Sequence, residues 1–282
     1  MNTNLTGLFL AVLSLSACSG GSGSTRFDGG NGDNEQPVET RTAGTTSGMV
    51  GGLPEEPLDA RYDKRNDVLT LNLRGSDVEL ANDLLVAEVN GFKTYRAEGN
   101  VAIALRAATS SGGGSAMIVY SRSGDYDVQG VEFERLANSE IPVTGTATYQ
   151  GQYAGIIGSP ESGANFIIQG DAEIETNFND AQVSGRISNR TLANADPGNT
   201  FILNDIVLHE GEINPDGTFI GIGVTGGQIV GDTLDPGSTT TTGSYSGAIV
   251  GPSGNEVVGG VTINHDYQNV DLIETGAFTA SQ

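Results

Sequence analysis

Residues 243–263 read GSYSGAIVGPSGNEVVGGVTI. Two runs of small, β-branched and aromatic residues, 243–250 and 256–263, flank Pro252-Ser253-Gly254, and proline, serine and glycine are turn formers. Glycine inside a strand, as at Gly247, costs stability and often marks strong bending or the close approach of another backbone. A small closed barrel needs both features. The stretch therefore predicts one hairpin of an antiparallel β-barrel, and it favours a barrel over a sandwich.

The same pattern of short strands and turns fills the chain from residue 141 to residue 282. Strands are predicted over residues 145–157, 164–168, 172–178, 182–188, 201–208, 218–224, 243–250, 256–263 and 274–279. Eight or nine short strands separated by turn formers are typical of a sandwich or a barrel. We therefore expect an all-β protein in which residues 141–282 form an antiparallel eight-stranded β-barrel. A barrel of that size is filled by side chains or holds one small ligand, and the sequence leaves both open.

Residues 55–140 predict a small antiparallel β-sheet domain, the handle, in front of the barrel. Leu69, Leu71 and Leu73 alternate with polar residues as in a half-buried strand. Further strand patterns follow at residues 101–105, 117–120 and 131–133. The Ile141-Pro142 pair breaks the pattern and is the expected boundary between the two domains.

A turn within the handle is predicted at Asn90-Gly91. Asn-Gly favours a type I′ turn, because both central residues of that turn need positive φ. The turn would place three pairs of residues opposite each other, namely Val89 with Phe92, Glu88 with Lys93, and Val86 with Tyr95. The second pair would join opposite charges across the two strands.

The first residues have the features of an export signal. Residues 5–17 form an apolar run that is too short to span a membrane and suits a signal-peptide core. The run ends in Leu15-Ser16-Ala17-Cys18, which resembles the bacterial lipoprotein signal, although no Lys or Arg precedes it. An ordinary secretory signal stays open as an alternative. We expect a signal peptide over residues 1–17 and lipidation of Cys18, with palmitate among the acyl chains that anchor the protein in the membrane.

Residues 18–54 are rich in Gly, Ser, Thr and Asn and contain almost nothing that could form a core. We expect them to be a flexible, disordered linker. A flexible chain of about 35 residues spans roughly 30–35 Å, so the folded part would stand clear of the lipid surface. Ser19, where an Asp would favour the inner membrane, favours the outer membrane.

The composition excludes several classes of protein. The 282 residues include 35 acidic and 13 basic ones, a net charge of −22, so no basic face is available for nucleic acid. One Cys cannot form a disulfide framework, and one Cys with two His cannot complete a Cys/His zinc site. Residues 141–282 carry 16 acidic and 2 basic residues. That excess indicates either solubility in saline surroundings or a cationic partner.

Four stretches of the predicted barrel match a known pattern: Gly145-Thr146-Ala147-Thr148-Tyr149-Gln150-Gly151, Ala164-Asn165-Phe166, Val183-Ser184-Gly185-Arg186-Ile187 and Gly251-Pro252-Ser253-Gly254-Asn255-Glu256-Val257-Val258-Gly259. They resemble the barrel domain of transferrin-binding-protein-like surface lipoproteins, a group that includes factor-H-binding proteins. In the last stretch Gly254 and Val258 depart from the family pattern. The resemblance covers residues 141–282 and implies one lobe made of a handle and a barrel. It implies partner contacts in variable loops, so no ligand-binding residue is carried over.

Few residues are candidates for chemistry. His209 and His265 have no nucleophile motif beside them and are interpreted as solvated side chains. Asp171, Glu173 and Glu175 lie two residues apart, so they share one face of a strand. That face is interpreted as the outer wall of the barrel, with a metal site or catalytic carboxylates as the alternatives.

These features favour a non-catalytic binding module. We expect an outer-membrane or cell-surface lipoprotein that binds a host or environmental protein, or an iron or haem source. The alternative is a structural or adhesive envelope lipoprotein without a specific small ligand, and a periplasmic orientation is also open. No resident cofactor, metal or nucleic-acid partner is expected. The loop 235–243 is the expected contact region, because such loops carry binding residues on a rigid scaffold.

Overall fold

The structure, a computed structural model, describes residues 45–46, 59–73, 76–82, 88–97, 102–123, 126–136, 139–158, 165–193, 202–227, 242–267 and 270–282. In these ranges the regular structure consists of β-strands, which confirms the predicted all-β class. The same ranges contain no helix long and apolar enough to cross a membrane. The predicted signal peptide, and the predicted linker apart from residues 45–46, lie outside them.

Eight strands form the first antiparallel sheet, called the handle sheet. They are β1 (Thr45–Thr46), β2 (Asp59–Asp63), β3 (Val68–Leu73), β4 (Ser76–Asn82), β5 (Lys93–Arg96), β6 (Ala102–Ala108), β7 (Gly114–Ser123) and β8 (Tyr126–Arg135). Their order is β1-β8-β7-β6-β5-β4-β3-β2, so strands β2 to β8 follow one another as a meander. The first strand was not predicted, because it lies in the expected linker. Thr45 and Thr46 pair with Glu132 and Val131 at the edge of β8, where backbone groups are open to a further strand.

The second sheet closes into a barrel. Its strands are β9 (Thr146–Gly158), β10 (Asn165–Asn177), β11 (Gln182–Leu192), β12 (Ile206–Ile213), β13 (Thr218–Gly221), β14 (Val224–Gly226), β15 (Thr242–Val250), β16 (Glu256–Tyr267) and β17 (Val270–Ser281). Strand β17 pairs with β9, and β11 pairs with β12, which closes the ring. The short strands β13 and β14 both pair with β12 and together serve as one interrupted strand. The predicted antiparallel eight-stranded barrel is therefore confirmed.

Several strand boundaries of the barrel differ from the prediction; the segment 218–224, for example, is divided between β13 and β14. The segments 164–168 and 172–178 are one strand, β10, because Gly170 stays in the ladder opposite Tyr153. Glycine is needed there, since a Cβ on Gly170 would lie 2.8 Å from the carbonyl oxygen of Ser188. The strand predicted from residue 201 begins only at Ile206.

The Asn90-Gly91 turn has the predicted geometry. Both residues have positive φ, 48° and 79°, and Val89 and Phe92 exchange two backbone hydrogen bonds of 2.9 Å. The outermost pair was predicted wrongly, because Tyr95 pairs with Asn82 of β4 instead of Val86. The Lys93 amine lies 3.1 Å from Asp67, a residue of the β2–β3 turn. The hydrogen bond to Asp67 and, to a smaller extent, the charge of Glu88 raise the pKa of Lys93.

One face of the handle sheet packs on the outside of the barrel through a continuous apolar cluster. The handle contributes Val89, Phe92, Ile103, Leu105, Ala107, Ala116, Ile118, Tyr120, Val131 and Phe133, and the barrel contributes Ala154, Ile156, Ile167, Ala248, Val250, Val258 and Ala277. The barrel residues come from β9, β10, β15, β16 and β17. Burial of this apolar surface is the main force that holds the two sheets together.

Polar side chains of the handle bind barrel backbone beside this cluster. Asn90 donates from Nδ2 to the carbonyl oxygens of Tyr153, at 3.2 Å, and Gly170. Gln129 donates from Nε2 to the carbonyl oxygen of Ile156 at 2.6 Å. These amides bind backbone carbonyls on neighbouring barrel strands, so they fix the register of the handle on the barrel as well as its distance.

Glu256, at the start of β16, binds the β6–β7 turn of the handle. Its side chain is buried, and its carboxylate accepts hydrogen bonds from Ser110 Oγ at 2.6 Å, from the Ser111 amide at 2.8 Å and from Ser111 Oγ. Burial by itself would raise the pKa of Glu256, but the hydrogen bonds from Ser110 and Ser111 outweigh it and lower the pKa. The ionised carboxylate thus helps to dock the handle on the barrel.

Glu256→Ala is expected to lower the free energy of unfolding by about 1–3 kcal/mol, since it removes hydrogen bonds to a charged group. A carboxyl group with a lowered folded pKa stabilises the fold above its unfolded pKa of about 4.3, and this contribution is lost as the pH falls through the folded pKa. Urea unfolding at neutral and acidic pH should therefore show a gap between wild type and variant that narrows in acid. Glu175→Ala, on the exposed wall, is the control and should stay within about 0.5 kcal/mol. A gap equal at both pH values would contradict this role.

Candidate functional site

The interior of the barrel, the first candidate for a ligand site, is filled with side chains. Its core contains residues from every barrel strand, among them the large side chains of Tyr149, Tyr153, Tyr245, Phe219 and Phe278. The tyrosine hydroxyls are satisfied inside. Tyr149 donates to the carbonyl oxygen of Gly254 at 2.8 Å, and Tyr245 to that of Val183 at 3.0 Å. The question left open by the sequence is thus answered for the described part of the barrel, where side chains occupy the interior.

The glycines inside the strands make room for these rings. A Cβ on Gly276 would lie 2.0 Å from Tyr153 Oη, and one on Gly221 would lie 2.1 Å from Tyr245 Cε1. The phenylalanines are seated in the same way, with Gly247 facing Phe219 and Gly259 facing Phe278. Each large ring therefore lies over a glycine of the neighbouring, hydrogen-bonded strand, where no side chain is in the way.

A buried ion pair completes the interior. Arg190 and Glu274 are fully buried and bind each other through Nη2 and Oε2, and Tyr153 donates to the other carboxylate oxygen at 2.6 Å. Arg190 also donates to the carbonyl oxygen of Asn204. Burial first, and then the negative charge of Glu274, raise the pKa of Tyr153 well above its usual value, although Arg190 opposes them. Tyr153 is therefore a neutral hydrogen-bond donor, and the network is structural.

The residues considered for chemistry lie on the outer wall. His209 is exposed, and its Nε2 lies 2.8 Å from Thr225 Oγ1. Asp171, Glu173 and Glu175 line the outer face of β10, where Asp171 accepts from Asn189 at 2.7 Å. Among the described residues, no group of three or more His, Cys, Asp or Glu side chains is placed to hold a metal ion. The remaining predicted positions, namely Cys18, the side chain of His265 and most of the loop 235–243, lie outside the described part of the chain.

An apolar area on the outer wall was not predicted. Val207 on β12, Ile220 on β13 and Ile222 between β13 and β14 are 41%, 51% and 87% exposed. These three residues are called the outer patch. Their neighbours Phe219 and Val224 point into the core, so residues 219–224 are apolar on both faces. In a strand with one solvated face, apolar residues should alternate with polar ones. Residues 219–224 depart from this alternation, and the departure is the sequence signal for the patch.

Comparison with known proteins finds similar chains among solved structures. No family model matches the chain, and no curated protein matches it. Among solved structures, it is similar to the transferrin binding protein B of Haemophilus parasuis Hp5, at 14% identity and a TM-score of 0.44, over 80% of this chain and 44% of that one. It is similar to intact Ap-TbpB (N and C lobes) at 16% identity and a TM-score of 0.42, over 80% and 46%. The isotype 1 protein of serogroup B Neisseria meningitidis matches at 20% and 0.40, over 78% and 40%.

These structures belong to the family that the barrel motifs resemble. The chain spans less than half the length of each of them.

The two arginines of the barrel provide a matched test of the interior network. Arg190→Met should lower the free energy of unfolding by about 3–5 kcal/mol, because it leaves the Glu274 carboxylate buried without its partner. Arg186→Met breaks an exposed pair with Asp205 and should cost at most about 1 kcal/mol. The double variant Arg190→Met, Glu274→Leu should recover part of the loss. Equal effects of the two single variants in urea unfolding would show that the network contributes nothing.

Proposed function

We propose that this chain is a lipid-anchored protein of the bacterial outer membrane that binds another protein and catalyses no reaction. The observation that carries the proposal is the filled barrel with apolar side chains on its outside. A packed interior directs recognition to the outer surface, and exposed apolar side chains at one place are a feature of protein-binding surfaces.

A protein partner suits this barrel better than haem. A haem-sized ligand inside would have to displace Tyr153, Tyr245 and their hydrogen bonds. A protein needs no such rearrangement, because it can use the wall and the loops of a body whose handle and barrel are fixed to each other.

The anchor is proposed from the sequence. Cys18 follows Leu15-Ser16-Ala17 directly and is the one cysteine of the chain. Several acyl chains on that residue would hold the protein at a bilayer, whereas one chain binds only marginally. The part of the proposed linker that precedes strand β1 would then let the folded body reach a partner away from the lipid headgroups.

Cells that produce the protein, labelled with palmitate and then treated with a membrane-permeable crosslinker, test both parts of the proposal. The full chain should carry the label, sediment with the outer membrane and form a discrete crosslinked product with another protein. Cys18→Ser should lose the label and leave the membrane fraction, because no other cysteine can accept the lipid.

A Cys18→Ser chain that still sediments with the membrane would contradict the anchor. A labelled, folded wild-type chain that crosslinks to no protein under any growth condition would contradict the binding function and favour a structural envelope role. Deletion of residues 235–243 is the control that shows whether that loop takes part in the contact.

A further inference from the structure

The outer patch lies on the side of the barrel that the handle leaves uncovered. The barrel residues in the handle interface come from β9, β10, β15, β16 and β17, whereas the patch lies on β12 to β14. Val207 pairs with Thr225 of β14, and Ile220 pairs with Glu212 of β12. The three apolar side chains therefore stand on adjacent segments of one continuous wall.

Two acidic side chains of β12 lie beside the apolar ones. Glu212 is the direct cross-strand partner of Ile220, and Glu210 lies between the rows of Val207 and Ile220 on the same strand. Both glutamates are exposed. The barrel segment 141–282 has two basic residues, of which Arg190 is buried and Arg186 is paired with Asp205. Arg186 is the cross-strand partner of Val207, but its guanidinium pairs with Asp205, so the negative charge of the described surface is concentrated beside Ile220 and Ile222.

We infer that the outer patch docks a segment of a partner protein in which Lys or Arg side chains alternate with apolar ones. The inference rests on the proposed binding function and specifies its surface. Apolar side chains of the partner would cover Val207, Ile220 and Ile222, while its cations would face Glu210 and Glu212. Charges arranged in this way favour the right partner and speed its encounter with the surface.

Other occupants fit the charges less well. A second copy of this chain would bring a net charge of −22 against an acidic wall. The proposed linker, residues 18–54, contains four acidic and two basic residues and is also negative. Addition of a strand is not available at this place either, because β12 is already paired on both sides, with β11 and with β13 and β14. Recognition must therefore use side chains.

Titration of the full mature chain with two synthetic peptides tests the inference. One peptide alternates Lys with Leu, and the other alternates Lys with Ser. The Lys-Leu peptide should bind the wild type at physiological salt, and the double variant Ile220→Ser, Ile222→Ser should bind it at least about tenfold more weakly, as expected when apolar anchors at the centre of an interface are lost. Val143→Ser is the matched control, since Val143 is 81% exposed but outside the patch, and it should bind like the wild type.

Glu212→Gln should weaken binding and flatten its salt dependence, whereas Glu175→Gln on β10 should change it less. Equal binding of the two peptides, no binding of the Lys-Leu peptide, or an unchanged affinity of the double variant would each overturn the inference. If the double variant fails to fold, Ile222→Ser alone replaces it, because that side chain is almost fully exposed. If the patch variants bind the peptide as tightly as the wild type while the cellular crosslink to another protein persists, the inference about this surface fails and the proposed function stands.

Discussion

The close packing of aromatic rings against glycine backbone determines how the interior of this barrel is filled. Tyr153 fits inside because Gly276 faces it without a side chain, and Tyr245 fits because Gly221 does the same. Glycine at such positions weakens the isolated strand, but the rings restore the lost packing and keep the interior dense. Once Tyr153 is seated, its hydroxyl requires an acceptor, which Glu274 supplies and Arg190 neutralises. In the described part of the barrel these contacts leave the interior filled by side chains.

The position of the handle is also determined by the outer surface of the barrel. Small and β-branched residues on β9, β10 and β15 to β17 leave a smooth apolar wall, on which the handle sheet lies. The amides of Asn90 and Gln129 fix its position through barrel carbonyls, and the Glu256 carboxylate binds the β6–β7 turn of the handle. The wall of β12 to β14 is left open, with apolar and acidic side chains next to one another. Binding is proposed there because this wall combines exposed apolar side chains with acidic ones, whereas the open wall of β10 presents the polar side chains Asp171, Glu173 and Glu175.

The features of this fold that depend on residues close together in the chain were predictable from the sequence. The Asn90-Gly91 turn needs positive φ and was found, and the glycine-rich strands indicated a barrel. The contacts that fix the interior could not be found, because their partners lie far apart in the chain: Glu274 is 84 residues from Arg190, and Glu256 is 145 residues from Ser111. The motif around Glu256 was recognised, but its task of docking the handle required the fold. The departure from alternation over residues 219–224 signals apolar side chains on the outer face, but whether the handle covers them depends on the fold.

The most direct measurement of the central claim is a double-mutant cycle between Gly276 and Tyr153, by urea unfolding. At an unconstrained site Gly→Ala stabilises by about 0.4–1 kcal/mol, but here the new methyl group would collide with the ring. Gly276→Ala alone should therefore destabilise the fold by about 1–3 kcal/mol, as overpacking does. In a Tyr153→Leu chain the same substitution should cost little or nothing, because the ring is gone. An equal cost of Gly276→Ala in both chains would contradict the account of a barrel packed by rings against glycine.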